Sequence, residues 1–370
     1  MLRSLWFWMT IVLIAAGLAL TALLGVLGWV ALALAIAIAV LDGILLYSSH
    51  ALPQAEAPTL PLLMPVPDEK RVPLIHDCDL TMGRAFRDVG DGLALLYLLG
   101  HPRIDVRAVT TTFGNGPVDM TTPTTRRMLR QLGLGGLEVF PGASGPDEDP
   151  WDNEAARHLV ASVNAQPKEM VILATGAMTN LKHALALDPE FFGKVRSLFL
   201  VGGVTGPVIW QERRLLERNF SLDPEAAYEA IRAECPTTIA IGEAGLTSVF
   251  RSPQFAALNA LDDPVSRLIV RKTRVWFGLM RLWFRDDGFA LWESVAATAL
   301  TDPDLLQLER VYLPTTVEDL RRGRLVTEKD SVGPVRLIRG VQDYAGFVAT
   351  QLAAWHRLGR SIERQRAARE

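Results

Sequence analysis

The sequence predicts an α/β protein with a mostly parallel, Rossmann-like sheet flanked by helices, preceded by a hairpin of two transmembrane helices. Three observations carry this. Apolar runs alternate with helical patterns from residue 72 to residue 241, as strand–helix units stacking into a parallel sheet do. No charged side chain occurs between Arg3 and Asp42. Four carboxylates, Asp77, Asp79, Asp88 and Asp91, crowd the passage from the first strand of the sheet to its first helix.

The uncharged stretch comprises residues 4–41, 38 in all. As one helix it would be ~57 Å long at ~1.5 Å per residue, against a hydrocarbon core of ~30 Å. Two spans fit instead, Leu5–Leu24 and Trp29–Tyr47, turning at Gly25–Gly28. Trp6, Trp8, Trp29 and Tyr47 fall near the span ends, where interfacial aromatics sit. A cleavable signal peptide has an apolar core of only about 7–15 residues, too short for this stretch. Asp42 lies close enough to a span end to reach water. A hairpin returns the chain to its starting side. Arg3 at one end and Lys70 and Arg71 at the other place the following domain in the cytoplasm by the positive-inside rule. The two cysteines, Cys78 and Cys235, read as buried free thiols of a reducing compartment. A net charge of -3 gives no basis for a nucleic-acid partner.

Residues 50–71 hold five prolines and form a semi-rigid linker. The α/β domain occupies residues 72–358 and a charged, frayed tail residues 359–370. Within the domain, strands are expected at Val72–Asp77, Asp105–Thr111, Leu137–Phe140, Glu169–Ala174, Ser197–Val201 and Thr237–Ile241. Helices are expected at Gly92–Leu99, Thr121–Leu132, Asn153–Asn164, Asn180–Ala186 and Pro224–Ala233. The chain then turns more helical, with patterns at Pro264–Phe284 and Leu291–Leu300, a late hairpin of Val311–Pro314 with Val335–Ile338, and a last helix over Gln342–Arg357. Asp223 reads as a helix N-cap followed by proline at the first helical position.

In such sheets ligands bind at the carboxyl ends of the strands. The acidic segment HDCDLTMGRAFRDVGDGLAL (residues 76–95), Thr111–Asn115, Ala174–Gly176 and Val201–Gly203 all follow strands and share that rim. Carboxylates this close repel one another unless something offsets their charge. A hard cation with oxygen ligands does so, and calcium accepts six to eight oxygens in flexible geometry. Zinc lacks a His/Cys cluster of ligand spacing. Cys78, between two carboxylates, reads as a packed residue and not a nucleophile. Asp77 either orients its neighbours or caps a turn. His76, His101, His158, His183 and His356 show no partner spacing, although His158 lies on a helix that could approach the rim. Between Val270 and Trp292, Trp276, Phe277, Trp283, Phe284 and Trp292 interleave with Arg271, Lys272, Arg274, Arg281 and Arg285. The default is a core-facing helix with a solvated basic face; contact with a membrane surface is the alternative.

Six pieces in order resemble the inosine–uridine-preferring nucleoside hydrolase family over about residues 72–340. They are the Asp77-Cys-Asp79 start, the helix entry with Asp88, Asp91, Ala94 and Leu95, Gly114-Asn115, ATGAMTN (residues 174–180), Val201-Gly-Gly203, and ERNFSLDPEAA (residues 217–227). The resemblance implies an N-glycosidase acting on a small-molecule ribonucleoside or related ribosyl compound, with calcium at the pocket floor. Carried over, Asp79 is metal ligand and general base. Asp91, the backbone carbonyl of Thr175 and Glu293, in place of the usual aspartate, complete the metal set. Asn115, Glu217 and Asn219 bind the sugar. Family members are often dimers or tetramers, so a homo-oligomer is expected.

There are departures. The family has two adjacent aspartates at the helix entry, and here the first is Gly90. An insertion, Leu80–Arg87, precedes it, so Asp88 is the expected replacement. The asparagine expected between Gly203 and Glu217 is missing. A base-facing histidine that some members use as an acid falls at Trp292, which is expected to stack on the base instead. The competing expectation is a catalytically impaired, membrane-anchored ligand-binding or scaffold protein that keeps the metal pocket. A weaker one is a domain delivering nucleosides to a partner in the bilayer.

Overall fold

The computed structural model describes residues 55–147, 152–328 and 332–368, with isolated helical positions between 12 and 37. Most of the two expected spans lies outside the described residues. Among the described residues, no helix is long and apolar enough to cross a membrane.

The chain runs through β1 (Val72–Cys78), α1 (Gly90–Gly100), β2 (Ile104–Thr111), α2 (Val118–Gln131), β3 (Val139–Pro141), α3 (Glu154–Ala165), β4 (Val171–Ala174), α4 (Thr179–Leu187), α5 (Phe191–Lys194) and β5 (Ser197–Val201). A hairpin of β6 (Val208–Trp210) and β7 (Arg213–Leu215) precedes α6 (Pro224–Ile231), β8 (Thr237–Ala240) and α7 (Gly242–Gly245). Then come β9 (Val249–Arg251), α8 (Ser252–Ala260), α9 (Pro264–Phe284), β10 (Gly288–Ala290) and α10 (Trp292–Ala299). The last elements are β11 (Leu306–Val311), α11 (Val317–Arg321), β12 (Val335–Val341) and α12 (Tyr344–Ala367).

Eight strands form the main sheet, in the order β11-β12-β8-β5-β4-β1-β2-β3. Every neighbouring pair is parallel except β11 with β12. β4 and β8 are buried along their whole length, and β4 reads in the sequence as an unbroken apolar run. Strand order reverses between β1 and β4. That opens a crevice at their carboxyl ends, where open α/β sheets bind ligands.

Helices cover both faces of the sheet. α1 is buried on nearly every side, wedged against α10 and α12. At Gly100 a Cβ would stand 1.9 Å from the Ala354 carbonyl oxygen, so only glycine lets α12 approach this closely. Trp355 of α12 is fully buried. It packs edge-on to Phe250 at 5.9 Å and donates its indole N–H to the Leu93 carbonyl at 3.1 Å. Asp223 caps α6 as expected, accepting from the Ala226 amide at 3.0 Å with Pro224 in the first turn.

The structure corrects two late readings. The first strand of the late hairpin is Leu306–Val311, not Val311–Pro314, and its partner β12 also joins the main sheet beside β8. β11 is an edge strand exposing Gln307, Glu309 and Arg310; charged edges discourage strand addition and also hide the strand in the sequence. The last helix runs to Ala367, so residues 359–367 are not a frayed tail. Leu358 and Ile362 continue its buried stripe, and a Cβ at Gly359 would lie 2.0 Å from Asp263.

Trp355→Ala should remove the pin between α12 and α1, lowering unfolding stability by about 3–5 kcal/mol. Urea denaturation followed by circular dichroism measures it.

Candidate active site

The carboxyl ends of β1, β2, β4, β5 and β8 open into a cavity of about 390 Å³. All nine residues expected at the site, Asp79, Asp88, Asp91, Asn115, Thr175, Glu217, Asn219, Trp292 and Glu293, line it.

One end is acidic. Asp79, Asp91 and Glu293 are buried and Asp88 half-buried. The Asn115 backbone N–H donates to one Asp79 oxygen. Gly114 makes this close approach: its φ is +143°, and a Cβ there would lie 2.3 Å from Asp79 Oδ2. The Thr175 hydroxyl donates to Asp91. Burial, then the charges of Asp79 and Glu293, push the Asp91 carboxyl well above the usual range. Burial and the Asp88 charge do the same to Glu293. Burial raises Asp79, against the hydrogen bonds it accepts. It lifts Asp88 to about 6, against the N–H donors at the α1 start.

Glu293 Oε2 is buried without a hydrogen-bond partner, a state that costs free energy unless a cation or donor faces it. With oxygen donors throughout, this set fits a hard cation such as calcium. His76, Cys78 and Asp91 also bring possible ligand atoms within 4.8 Å of one another. Burial and the surrounding carboxylates push the Cys78 thiol up, however, so it stays protonated and packed.

Gly90 and Glu293 form a steric pair. A Cβ on Gly90 would lie 1.8 Å from Glu293 Oε2. The longer side chain from α10 thus fills the space that a residue-90 side chain would take. Asp88, the expected replacement, lines the cavity with Oδ1 held by the Val89 amide at 2.7 Å.

The sugar-side residues are tied to the loops. Asn219 donates through Nδ2 to the Thr175 carbonyl at 2.8 Å and the Val201 carbonyl at 3.0 Å. Its amide oxygen is left for a ligand. Glu217 accepts from the Phe220 and Ser221 amides at 2.8 and 2.9 Å and so holds its own turn. Asn115 donates its side-chain amide to Thr81 Oγ1 at 2.6 Å.

The other end is aromatic, formed by Val208, Trp210, Trp276, Met280, Phe284 and Trp292. Trp210 stacks on Phe284 at 5.2 Å and meets Trp292 edge-on at 6.1 Å. Both indole N–H groups are engaged, Trp210 with Asp286 Oδ2 at 2.6 Å and Trp292 with the Gly242 carbonyl at 2.9 Å. The wall therefore offers ring faces. Gly245 makes room, since a Cβ there would lie 1.8 Å from the Trp292 indole nitrogen. The β6–β7 hairpin behind this wall was not foreseen, nor was β9 with β10.

His76, read as partnerless, is a second finding. It is fully buried, with Nε2 3.0 Å from Thr175 Oγ1. Because that hydroxyl donates to Asp91, His76 must donate from Nε2. Burial lowers its pKa to about 3, so it is neutral. It orients Thr175 toward Asp91. Asp77 plays a similar supporting part: Oδ1 accepts from Thr110 at 2.5 Å and Asn180 at 2.7 Å, linking β1, β2 and α4. His158 stacks on Phe140 at 3.9 Å and lies outside the cavity lining.

The sequence profile of the family described as "inosine-uridine preferring nucleoside hydrolase" matches residues 74–349. This chain belongs to that family. As a nucleoside hydrolase it is an enzyme that cleaves ribonucleoside N-glycosidic bonds. A pyrimidine-specific ribonucleoside hydrolase RihA from Citrobacter koseri is 26% identical over 223 residues, covering 54% of this chain and 69% of that one. The RihA of Klebsiella pneumoniae is 29% identical over 227 residues, with the same coverage. A plant nucleoside hydrolase structure, PpNRh1, superposes with a TM-score of 0.66 at 21% identity, covering 78% of this chain and 99% of that one. A purine-preferring ribonucleoside hydrolase from Gardnerella vaginalis gives a TM-score of 0.66 at 22% identity, covering 77% and 99%. These two structural matches speak to the fold.

Two predictions follow for this nucleoside hydrolase. Gly90→Asp should drive a new carboxyl into Glu293, lowering the stability of the metal-free protein by about 1–3 kcal/mol. Gly90→Asp/Glu293→Asp should recover most of that loss in a double-mutant cycle of denaturation midpoints. The pH dependence has a definite sign. Burial raises Asp77 to about 7 and Asp88 to about 6, so the folded state keeps protons that the unfolded chain has released. Stability of the chelator-treated protein should therefore fall as pH rises from about 4 to about 7. Thermal melts across that range check it, and added calcium should restore most at the upper end.

Proposed function

We propose that this N-glycosidase works with calcium, held by Asp79, Asp91, the Thr175 carbonyl and Glu293, and that the ribose of its substrate enters acidic end first. The observation that carries this reading is the polarity of the cavity, with buried carboxylates at one end and an aromatic wall at the other. Calcium, when bound, would orient the vicinal hydroxyls of the ribose and an attacking water and lower the pKa of that water.

The residues of this chain do the rest. Asp79, steadied by the Asn115 N–H, takes the proton of the water as general base. Breaking the N-glycosidic bond builds positive charge on the sugar ring, and the carboxylates of Asp88, Asp91 and Glu293 stabilise it electrostatically. The Asn219 amide oxygen and the Asn115 and Glu217 side chains meet the sugar. The base stacks on Trp292, whose committed N–H leaves the ring face as its contact.

Residues 1–49 are proposed to anchor the enzyme in a membrane, with the domain on the cytoplasmic side. The absence of charge from residues 4–41 supports the anchor, and alkaline carbonate extraction of membranes tests it.

Asp79→Asn should lower kcat about 10²- to 10⁴-fold. Base release from a nucleoside panel, resolved by chromatography, measures it. Calcium and ribose binding without any release in the parent protein would favour the scaffold reading, in which Gly90 marks an eroded site.

A further inference from the structure

The cavity mouth carries surface chemistry that hydrolysis does not use. The β6–β7 hairpin is a two-sided flap. Val208, Trp210 and Leu215 line the cavity, whereas Ile209 and Arg214, paired across the hairpin, are exposed. Ile209 is 57% exposed, and Leu216, just beyond the hairpin at the edge of the cavity lining, is 79% exposed. The last turns of α9 divide in the same way. Met280 and Phe284 line the cavity, while Leu282 and Trp283 are 61% and 53% exposed. Stacking of Phe284 with Trp210 on one side and Trp283 on the other joins the two segments.

Arg213, Arg214 and Arg285 are exposed on these same segments. Glu212 at the hairpin tip is an exposed carboxylate among them. The nearby Asp286 and Asp287 are already paired, with Arg251 and Arg281.

We propose that this rim is a membrane-contact surface. Ile209, Leu216, Leu282 and Trp283 enter the headgroup region of an anionic bilayer, Arg213, Arg214 and Arg285 meet lipid phosphates, and the cavity mouth faces the membrane. Exposed apolar side chains interleaved with arginine, beside a tryptophan, suit the interface between headgroups and acyl chains. The rest of the chain favours lipid as the occupant. Residues 4–41 carry no charge, and of the segment that follows them Leu60 and Leu63 pack against the domain. The chemistry of the rim then selects the face turned to the bilayer.

The test uses the full chain in lipid nanodiscs of phosphatidylcholine, with or without phosphatidylglycerol. An environment-sensitive fluorophore is attached at Ile209→Cys or Leu282→Cys in a Cys235→Ala background, with Leu187→Cys at the far end of α4 as reference. In anionic discs, brominated acyl chains should quench the labels at 209 and 282 about twofold more than the label at 187. Arg213→Glu/Arg214→Glu should reduce that excess, as should salt near 1 M, where the screening length falls to about 3 Å. Equal quenching at all three sites overturns the proposal, as does a chain that does not associate with discs. Protection of 209 and 282 that grows with protein concentration in lipid-free detergent also overturns it, in favour of a second copy of the chain. None of these readouts depends on catalysis.

Discussion

Mutual repulsion among Asp79, Asp88, Asp91 and Glu293 is the constraint on which the site depends. Each acidic group is drawn toward its protonated form by burial, and three of them are further raised by a neighbouring carboxylate. The fold keeps them together because they are fixed by three separate rigid elements. Asp79 follows β1, Asp88 and Asp91 frame the start of α1, and Glu293 opens α10. β1 lies inside the sheet between β4 and β2, and α1 is packed on nearly every side. Relaxing the repulsion by moving a carboxylate away would therefore disturb the core. Protons or a cation are the cheaper remedy.

Much of this was legible in the sequence, for a physical reason. β1, β4, β5 and β8 are inner strands, and short apolar stretches mark them, Leu74–Ile75, Val171–Ala174, Leu198–Val201 and Ile239–Ala240. The polar residues just after them had to collect at one rim of a parallel sheet. All nine expected site residues therefore fall in one cavity, although they are spread from residue 79 to residue 293. What stayed hidden depended on contacts between distant segments or on very short elements. Gly90 looked like a lost carboxylate until the space it leaves was seen to be filled by Glu293, 203 residues later. His76 looked partnerless because Thr175 lies on a different strand end. β6 and β7 have three residues each, and the outer face of their hairpin carries Ile209 and Arg214 with no polar alternation to read.

The two ends of the cavity divide the work. The acidic end handles charge, with a network running from His76 through Thr175 to Asp91 behind it. The aromatic end handles shape, and Trp210 and Trp292 have spent their hydrogen bonds on Asp286 and Gly242. The elements that build the aromatic end, the hairpin and α9, also carry the exposed apolar and basic rim. Any contact that moves this rim would move the aromatic wall of the cavity.

The central claim is that the buried carboxylates hold a cation in exchange for protons. Calcium titration calorimetry on the chelator-treated full chain, repeated in buffers of different ionisation enthalpy, tests this most directly because it counts protons released per ion bound. The account predicts binding of one calcium with release of at least one proton near neutral pH, both lost in Asp91→Asn. Absence of calcium binding, or binding with no proton release and no effect of Asp91→Asn, would contradict it.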